Sequence, residues 1–261
     1  MPSLFDLTDK VAIVTGSTKG IGLAIATRMA EHGATVVISS RKPDACEAVA
    51  AGIRAKGGKA IVIPCHIARK EELRNLVDQT VARCGGIDIL VENAAVNPYM
   101  GPSAGMPDEA FERVMGANVR SNLWLANMAI LHIVQRGGGA VIIISSIGGL
   151  RGSAQLGAYA ISKAADMQLA RNIAVEWGPR NIRANAIAPG LVRTDFARAL
   201  WEDPALYRKR TATTPLQRIG EPDEIAGAAV FLASAAGSFT TGQTIVIDGG
   251  TTAGSVVNSD D

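Results

Sequence analysis

Tyr159 and Lys163 stand four residues apart in Tyr159-Ala-Ile-Ser-Lys163, and Ser146 lies thirteen positions upstream. Four residues is about one helical turn, so phenol and ammonium share a face. An ammonium beside a phenol favours the phenolate and draws the tyrosine pKa down from its ordinary ~10. A tyrosine so placed can give a proton to a carbonyl oxygen or take one from an alcohol. The same spacing arises by chance on many exposed helices, so the pair draws its weight from the rest of the chain.

A second chemical feature opens the sequence. Thr15-Gly16-Ser17-Thr18-Lys19-Gly20-Ile21-Gly22 follows an apolar run and precedes a helical pattern. Glycines allow a tight turn and let the backbone approach a pyrophosphate, which free N–H groups and the dipole of a helix N-terminus favour. Glycine-rich turns also serve folding alone, but this one sits where a nucleotide-binding turn belongs, between first strand and first helix.

The elements that must hold these residues can be read from periodicity. Short Val/Ile-rich runs predict strands at Val11–Thr15, Thr35–Ser39, Ala60–Pro64, Ile87–Val91, Ala140–Ser145, Ile182–Ile187 and Thr244–Ile247. Amphipathic stretches predict helices at Ile21–His32, Pro43–Lys56, Lys70–Cys84, Pro107–Gln135, Gly157–Trp177 and Pro222–Ser234. Continuous apolar strands alternating with helices imply an α/β fold, a doubly wound parallel sheet of about seven strands covered on both faces. Residues 1–261 fit one domain. The stretch from Arg193 to Pro215 breaks the rhythm, and a long insertion at that edge of such a sheet is expected to be a substrate lid. A polar tail follows Gly250.

Composition narrows the partners. Net charge is +2 with both signs interspersed, which argues against nucleic acid. No apolar run reaches the ~18 residues of a membrane span, and Met1-Pro-Ser-Leu-Phe-Asp lacks the pattern of a signal peptide. Cys46, Cys65 and Cys84 share no ligand-like spacing and read as reduced thiols of a cytoplasmic protein, with no metal site.

With Asn93-Ala94-Ala95, Asn118, Ser145-Ser146 and Pro189-Gly190 in the same order, the glycine turn and the Tyr-x3-Lys pair resemble the short-chain dehydrogenase/reductase family over essentially the whole chain. The resemblance implies a Rossmann-type sheet and hydride transfer to or from a nicotinamide cofactor. It makes Tyr159 the general acid/base and gives Lys163 the nicotinamide ribose. Ser146 then hydrogen-bonds the substrate oxygen, and Asn118 holds a water linking Lys163 to solvent. The glycine turn (Gly16, Ser17, Thr18, Lys19, Gly20, Ile21, Gly22), Asn93, Ala94 and Ala95 would hold the cofactor, with Pro189, Gly190, Val192 and Thr194 on its nicotinamide side. Without the family, Ser146 reads equally as a strand-end cap, Asn118 as a helix cap and Thr194 as an N-cap.

Relatives that prefer NAD place an acidic residue at the end of strand two. This chain has Ser39-Ser40-Arg41-Lys42 there, with Lys19 in the glycine turn. Guanidinium and ammonium groups suit a 2′-phosphate, so Ser40, Arg41 and Lys42 point to NADP(H). Three departures stand out. Cys65-His66-Ile67 replaces the usual adenine-binding Asp, with His66 as the expected acceptor. Glu92 replaces the first Asn of Asn-Asn-Ala-Gly, and Gly116 stands two residues before Asn118. The Cys-His step and Asn-Ala-Ala-Val-Asn-Pro98 resemble the NADP-dependent carbonyl reductase branch of the family.

The activity implied is NADPH-dependent reduction of a ketone or aldehyde. Asn97, Tyr99, Ile147, Leu156, Phe196, Leu200 and Trp201 would form a mostly apolar substrate pocket. Reduction of 3-oxoacyl-acyl-carrier-protein is the alternative, for which Arg136, Arg171 and Arg180 are the candidate docking cations; a non-catalytic NADP(H)-binding regulator is a more distant one. Helices around Asn118–Gln135 and Gly157–Trp177 carry more apolar positions than one sheet-facing stripe can bury, so a homotetramer is expected, as is common in the family.

Overall fold

In the computed structural model residues 3–254 are described; Met1, Pro2 and the part of the polar tail beyond Gly254 lie outside them. Seven parallel strands form one sheet: β1 (Val11–Thr15), β2 (Thr35–Ser39), β3 (Lys59–Val62), β4 (Ile89–Glu92), β5 (Gly139–Ile144), β6 (Ile182–Pro189) and β7 (Thr244–Ile247), in the order β3-β2-β1-β4-β5-β6-β7. The chain reverses direction of winding between β1 and β4. That switch point opens a crevice at the carboxyl ends of the strands.

The pleat sorts the core into two layers. Val11 and Ile13 of β1 point to one face, with Leu90, Val141 and Ile143. That face is covered by α3 (Lys70–Cys84), α5 (Ser121–Gln135) and α6 (Gly157–Trp177). Ala12 and Val14 point to the other, under α1 (Gly20–Glu31), α2 (Pro43–Ala55) and α8 (Pro222–Ala233). Strands buried on both sides explain the uninterrupted Val/Ile runs.

The stretch expected as a single helix from Pro107 to Gln135 is α4 (Asp108–Met115) running through a π-turn, Gly116–Arg120, into α5. In that turn the Ser121 N–H reaches back five residues to the Gly116 carbonyl, which inserts one extra residue into the helix. Gly116 is right-handed helical there, and an added Cβ would meet only the end of the Arg120 side chain. No unusual backbone conformation requires this glycine. Residues 193–215 contain a 3-10 turn, Asp195–Leu200, and α7 (Pro204–Thr211), whose first amides are capped by Asp203. Among the described residues no helix is long and apolar enough to cross a membrane.

Candidate active site

The floor of the crevice is built where α6 passes the carboxyl end of β5. Lys163 is 2% exposed, and its Nζ donates to the Ile144 carbonyl and to Asp166 Oδ2, each at 2.8 Å. Asp166 lies one turn further along α6 and is fully buried; its other oxygen accepts from Asn122 Nδ2 at 3.0 Å. Burial opposes the charged form of Lys163, but Asp166, Tyr159 and Glu92 outweigh it and hold its pKa above the ordinary lysine value. Lys163 Nζ lies 5.8 Å from the centre of the Tyr159 ring.

The same floor is locked to the loop after β4. Asn118, in the π-turn, is fully buried: Oδ1 accepts from the Val96 N–H at 2.8 Å, while Nδ2 donates to the Val96 carbonyl at 3.0 Å and to Ser162 Oγ at 3.1 Å. Both side-chain donors are thereby used, so a water held by Asn118 would donate to it, at the backbone carbonyl or at the second lone pair of Oδ1. Ser145 Oγ donates to the Lys163 carbonyl at 2.7 Å, tying β5 to α6. Ser146 Oγ accepts from the Gly148 N–H at 3.0 Å, which leaves its own hydroxyl proton for another acceptor.

Glu92 closes β4 inside this floor. It is 1% exposed, and among the described residues neither carboxylate oxygen has a hydrogen-bond partner. Burial pushes its pKa far up, the Asp166 carboxylate adds to the effect, and Lys163 pulls the other way without reversing it. Glu92 thus holds its proton more tightly than an ordinary carboxyl, beside the Lys163–Asp166 ion pair.

At the nucleotide end, Gly16 and Gly20 take positive φ angles of 66° and 55°, the left-handed conformation that favours glycine. A Cβ on Gly22 would strike the Gly16 carbonyl and the Asn93 side chain, so these glycines also serve the turn's own packing. Asn93 ties β4 to β1, with Nδ2 donating to the Thr15 carbonyl at 2.9 Å. Thr15 Oγ1 in turn receives the Asn93 and Ala94 N–H groups at 2.9 and 3.1 Å. Helix α1 starts at Gly20 with no side-chain cap and no acidic residue in its first turn. Its leading N–H groups are thus available to an anion, and the donor set fits a pyrophosphate.

Ser40, Arg41 and Lys42 follow β2, with Arg41 and Lys42 exposed; among the described residues no carboxylate pairs with either cation. Lys19 instead faces Asp195 of the 193–215 segment at 3.9 Å. His66 differs from expectation. Its Nδ1 accepts from the Ala68 N–H at 3.3 Å, which in the neutral ring leaves the proton on Nε2. Nε2 is then a donor, where an acceptor is expected from sequence. Ile67 is part-buried against the α3 side of the core.

The expected pocket residues gather only in part. The Phe196 ring lies 6.0 Å from that of Tyr159. Trp201 Nε1 donates to the Thr194 carbonyl at 3.2 Å and stacks under Arg193 at 5.2 Å, while Thr194 caps the 3-10 turn that carries Phe196 and Leu200. Pro189 and Gly190 lie where β6 ends, and Val192 is buried. Ile147 is buried directly after Ser146, and half-buried Leu156 leads into α6. Asn97 and Tyr99 turn to local partners, Met100 Sδ at 3.4 Å and the Pro102 carbonyl at 2.9 Å. Sequence reasoning missed Asp166, Asn122 and Ser162. Asp166 was findable, because a carboxylate three residues after Lys163 must share its helix face. No group of His, Cys, Asp and Glu among the described residues could hold a metal.

Comparisons with known proteins identify the relatives of this chain. A family model described as enoyl-(acyl carrier protein) reductase matches residues 16–252. Dehydrogenase/reductase SDR family member 4 of Bos taurus is 42% identical over 244 residues, covering 94% of this chain and 88% of the relative. The Homo sapiens protein of the same name is 41% identical over 245 residues, with the same coverage. Among solved structures, a 7α-hydroxysteroid dehydrogenase complexed with NADH and 7-oxo glycochenodeoxycholic acid superposes with a TM-score of 0.91 at 37% identity, covering 94% of this chain and 95% of that one. A gluconate 5-dehydrogenase from Burkholderia cenocepacia, in complex with NADP and tartrate, gives 0.91 at 35% identity, with 95% and 97% covered.

Proposed function

The chain belongs to the short-chain dehydrogenase/reductase family and is an NAD(P)-dependent oxidoreductase, and from this premise we propose that it reduces a ketone or aldehyde to an alcohol with NADPH. The observation that carries the reading is the Ser146–Tyr159–Lys163 constellation at the carboxyl edge of the sheet, over a floor whose polar groups are nearly all satisfied internally. When bound, the nicotinamide supplies the hydride. Tyr159 gives its phenolic proton to the substrate oxygen. The free hydroxyl proton of Ser146 holds that oxygen in place, and Lys163, fixed by Asp166 and the Ile144 carbonyl, presents its remaining proton to the ribose and its charge to Tyr159. Asn118 holds the wall and, by a carbonyl oxygen, a water leading outward. Residues 193–215 act as the lid, with Phe196 against Tyr159.

NADPH is favoured over NADH by the exposed, carboxylate-free Arg41 and Lys42 at the end of β2. The gluconate 5-dehydrogenase neighbour with NADP agrees with this, and the NADH-bound hydroxysteroid dehydrogenase makes the comparison worth measuring. Of the three candidate docking cations for the carrier-protein alternative, Arg171 lies on α6 and the other two lie away from the site. Arg136 precedes β5 and is committed to Asp88 at 3.2 Å, and Arg180 precedes β6, so both lie at the sheet edge opposite Tyr159. Leu123 and Leu131 of α5 and Ile161 and Val175 of α6 are exposed apolar side chains; their burial between copies underlies the homotetramer we assign.

Initial rates with NADPH and NADH across aryl ketones, diketones, retinal, quinones and acetoacetyl thioesters test the reading. Consumption of NADPH, in preference to NADH, by at least one apolar carbonyl is expected; no turnover with any carbonyl would overturn it. Light scattering at micromolar concentration tests the assembly, which a mass near 27.1 kDa would refute.

A further inference from the structure

A cavity of about 650 Å³ lies between the Ser146–Tyr159 connection, the 193–215 segment and the chain after β7. Ile147, the residue after Ser146, lines it, and so does Leu191, just beyond Pro189-Gly190. The walls combine two chemistries. Ile147, Leu191, Leu206 and Ile219 are apolar, whereas Arg151, Lys209 and Arg210 bring three cations from two separate parts of the chain.

Those cations differ from their neighbours. Arg193 pairs with Glu221 at 2.9 Å, Arg198 with Asp195, and Arg218, which also lines the cavity, with Glu224 at 2.6 Å. Among the described residues no such pair involves Arg151, Lys209 or Arg210. Asp248, the carboxylate in the wall, accepts instead from the Gly250 and Thr252 N–H groups at 2.9 and 2.7 Å. Among the described residues, the cavity lining therefore carries more cations than carboxylates. Cations lining a concave surface attract anions, and arginine in particular suits a carboxylate.

We propose that this cavity is the anion-binding end of the substrate site, and that the substrate is an amphipathic oxo acid whose carboxylate meets Arg151, Lys209 and Arg210 while its carbonyl reaches Ser146 and Tyr159. This rests on the carbonyl-reductase reading and narrows it. The volume leaves room for an apolar body of rings or methylenes between the two ends. The apolar wall residues face that body.

The test uses 5-oxo-5-phenylpentanoic acid and its methyl ester, which share one carbonyl and differ in one charge. For the wild-type enzyme kcat/KM for the acid should exceed that for the ester by about tenfold or more, the scale of one charge-assisted hydrogen bond. In the Arg151→Gln/Lys209→Gln/Arg210→Gln variant that ratio should fall by about tenfold, through KM for the acid. All three side chains are exposed, so the fold should tolerate the change, which an unaltered melting temperature checks. Calorimetric titration of acid and ester gives a readout independent of turnover: acid binding should weaken in the variant. Equal handling of acid and ester by the wild type, or an unchanged ratio in the variant, overturns the proposal. If neither compound is reduced, the reductase reading fails for this substrate class, and the calorimetry alone decides the anion site.

Discussion

The floor and the rim of the crevice treat their charges in opposite ways. On the floor Lys163, Asp166, Asn122, Asn118 and Ser162 find their partners inside the protein, at distances between 2.8 and 3.1 Å. On the rim Arg41, Lys42, Arg151, Lys209 and Arg210 are exposed, and no carboxylate among the described residues pairs with them. A buried charge must be matched by the fold, because an unmatched one costs too much. A solvated charge at a crevice mouth can wait for a ligand. The difference separates what this chain does to a carbonyl, which is built into the core, from which cofactor and substrate it accepts, which resides in replaceable surface groups.

Breaking the floor should cost most. Asp166→Asn keeps the shape but removes the partner of a buried ammonium, a loss on the scale of 3–5 kcal/mol. It should appear as a melting temperature lowered by about 10 °C, and a shift under 2 °C would show that the pair is not structural. Tyr159→Phe leaves the floor standing and removes the proton donor. Turnover should drop at least ~10²-fold while NADPH fluorescence titration still reports binding; wild-type turnover would end the assignment of Tyr159.

The rim should respond by selectivity instead of collapse. Arg41→Asp is expected to cut kcat/KM with NADPH about tenfold or more while sparing NADH, since a carboxylate repels a 2′-phosphate and can accept from a 2′-hydroxyl. A wild-type preference for NADH would contradict the reading of β2.

The smallest effect sharpens the comparison, because Glu92 is the one floor carboxyl without a partner. Its folded pKa is raised from the ordinary 4.5 by burial and by Asp166. The folded chain thus holds the proton more tightly than the unfolded one. The resulting stability is complete below pH 4.5 and is lost as pH rises through the elevated folded value. Glu92→Gln cannot titrate, so its melting temperature should gain on the wild type between pH 5 and 8. Parallel curves for the two proteins would mean that Glu92 is already ionised and matched.

Much of this was readable in the sequence. Four of the seven strands begin at the predicted residue, because β-branched runs bounded by glycine and polar residues leave little choice, and Lys70–Cys84 and Gly157–Trp177 match the observed helices. The Tyr-x3-Lys pair and the glycine turn are local patterns, and local patterns survive folding. What was illegible depends on register and on contacts distant in sequence. The π-turn at Gly116–Arg120 has no propensity signal that separates it from ordinary helix. The fate of Glu92 hinges on β4 ending one residue later than its apolar run. That Arg136 and Arg180 face away from Tyr159 follows only once β5 and β6 are placed side by side and parallel. Asp166 is the instructive miss: its spacing was visible, but three residues from a lysine is an unremarkable pattern until both are known to be buried.

The double hook of Asn118 on Val96 gives one amide a diagnostic value. The Val96 N–H is held by a side chain and not by a strand or helix, so its exchange with deuterated solvent measures the opening of that single clasp. Because the clasp joins the π-turn to the loop bearing Asn97 and Tyr99 and, through Ser162, to the helix of Tyr159, loosening anywhere along this seam would register at Val96. One resonance in a nuclear magnetic resonance spectrum thereby becomes a gauge of whether the catalytic framework is assembled, in the absence of any substrate.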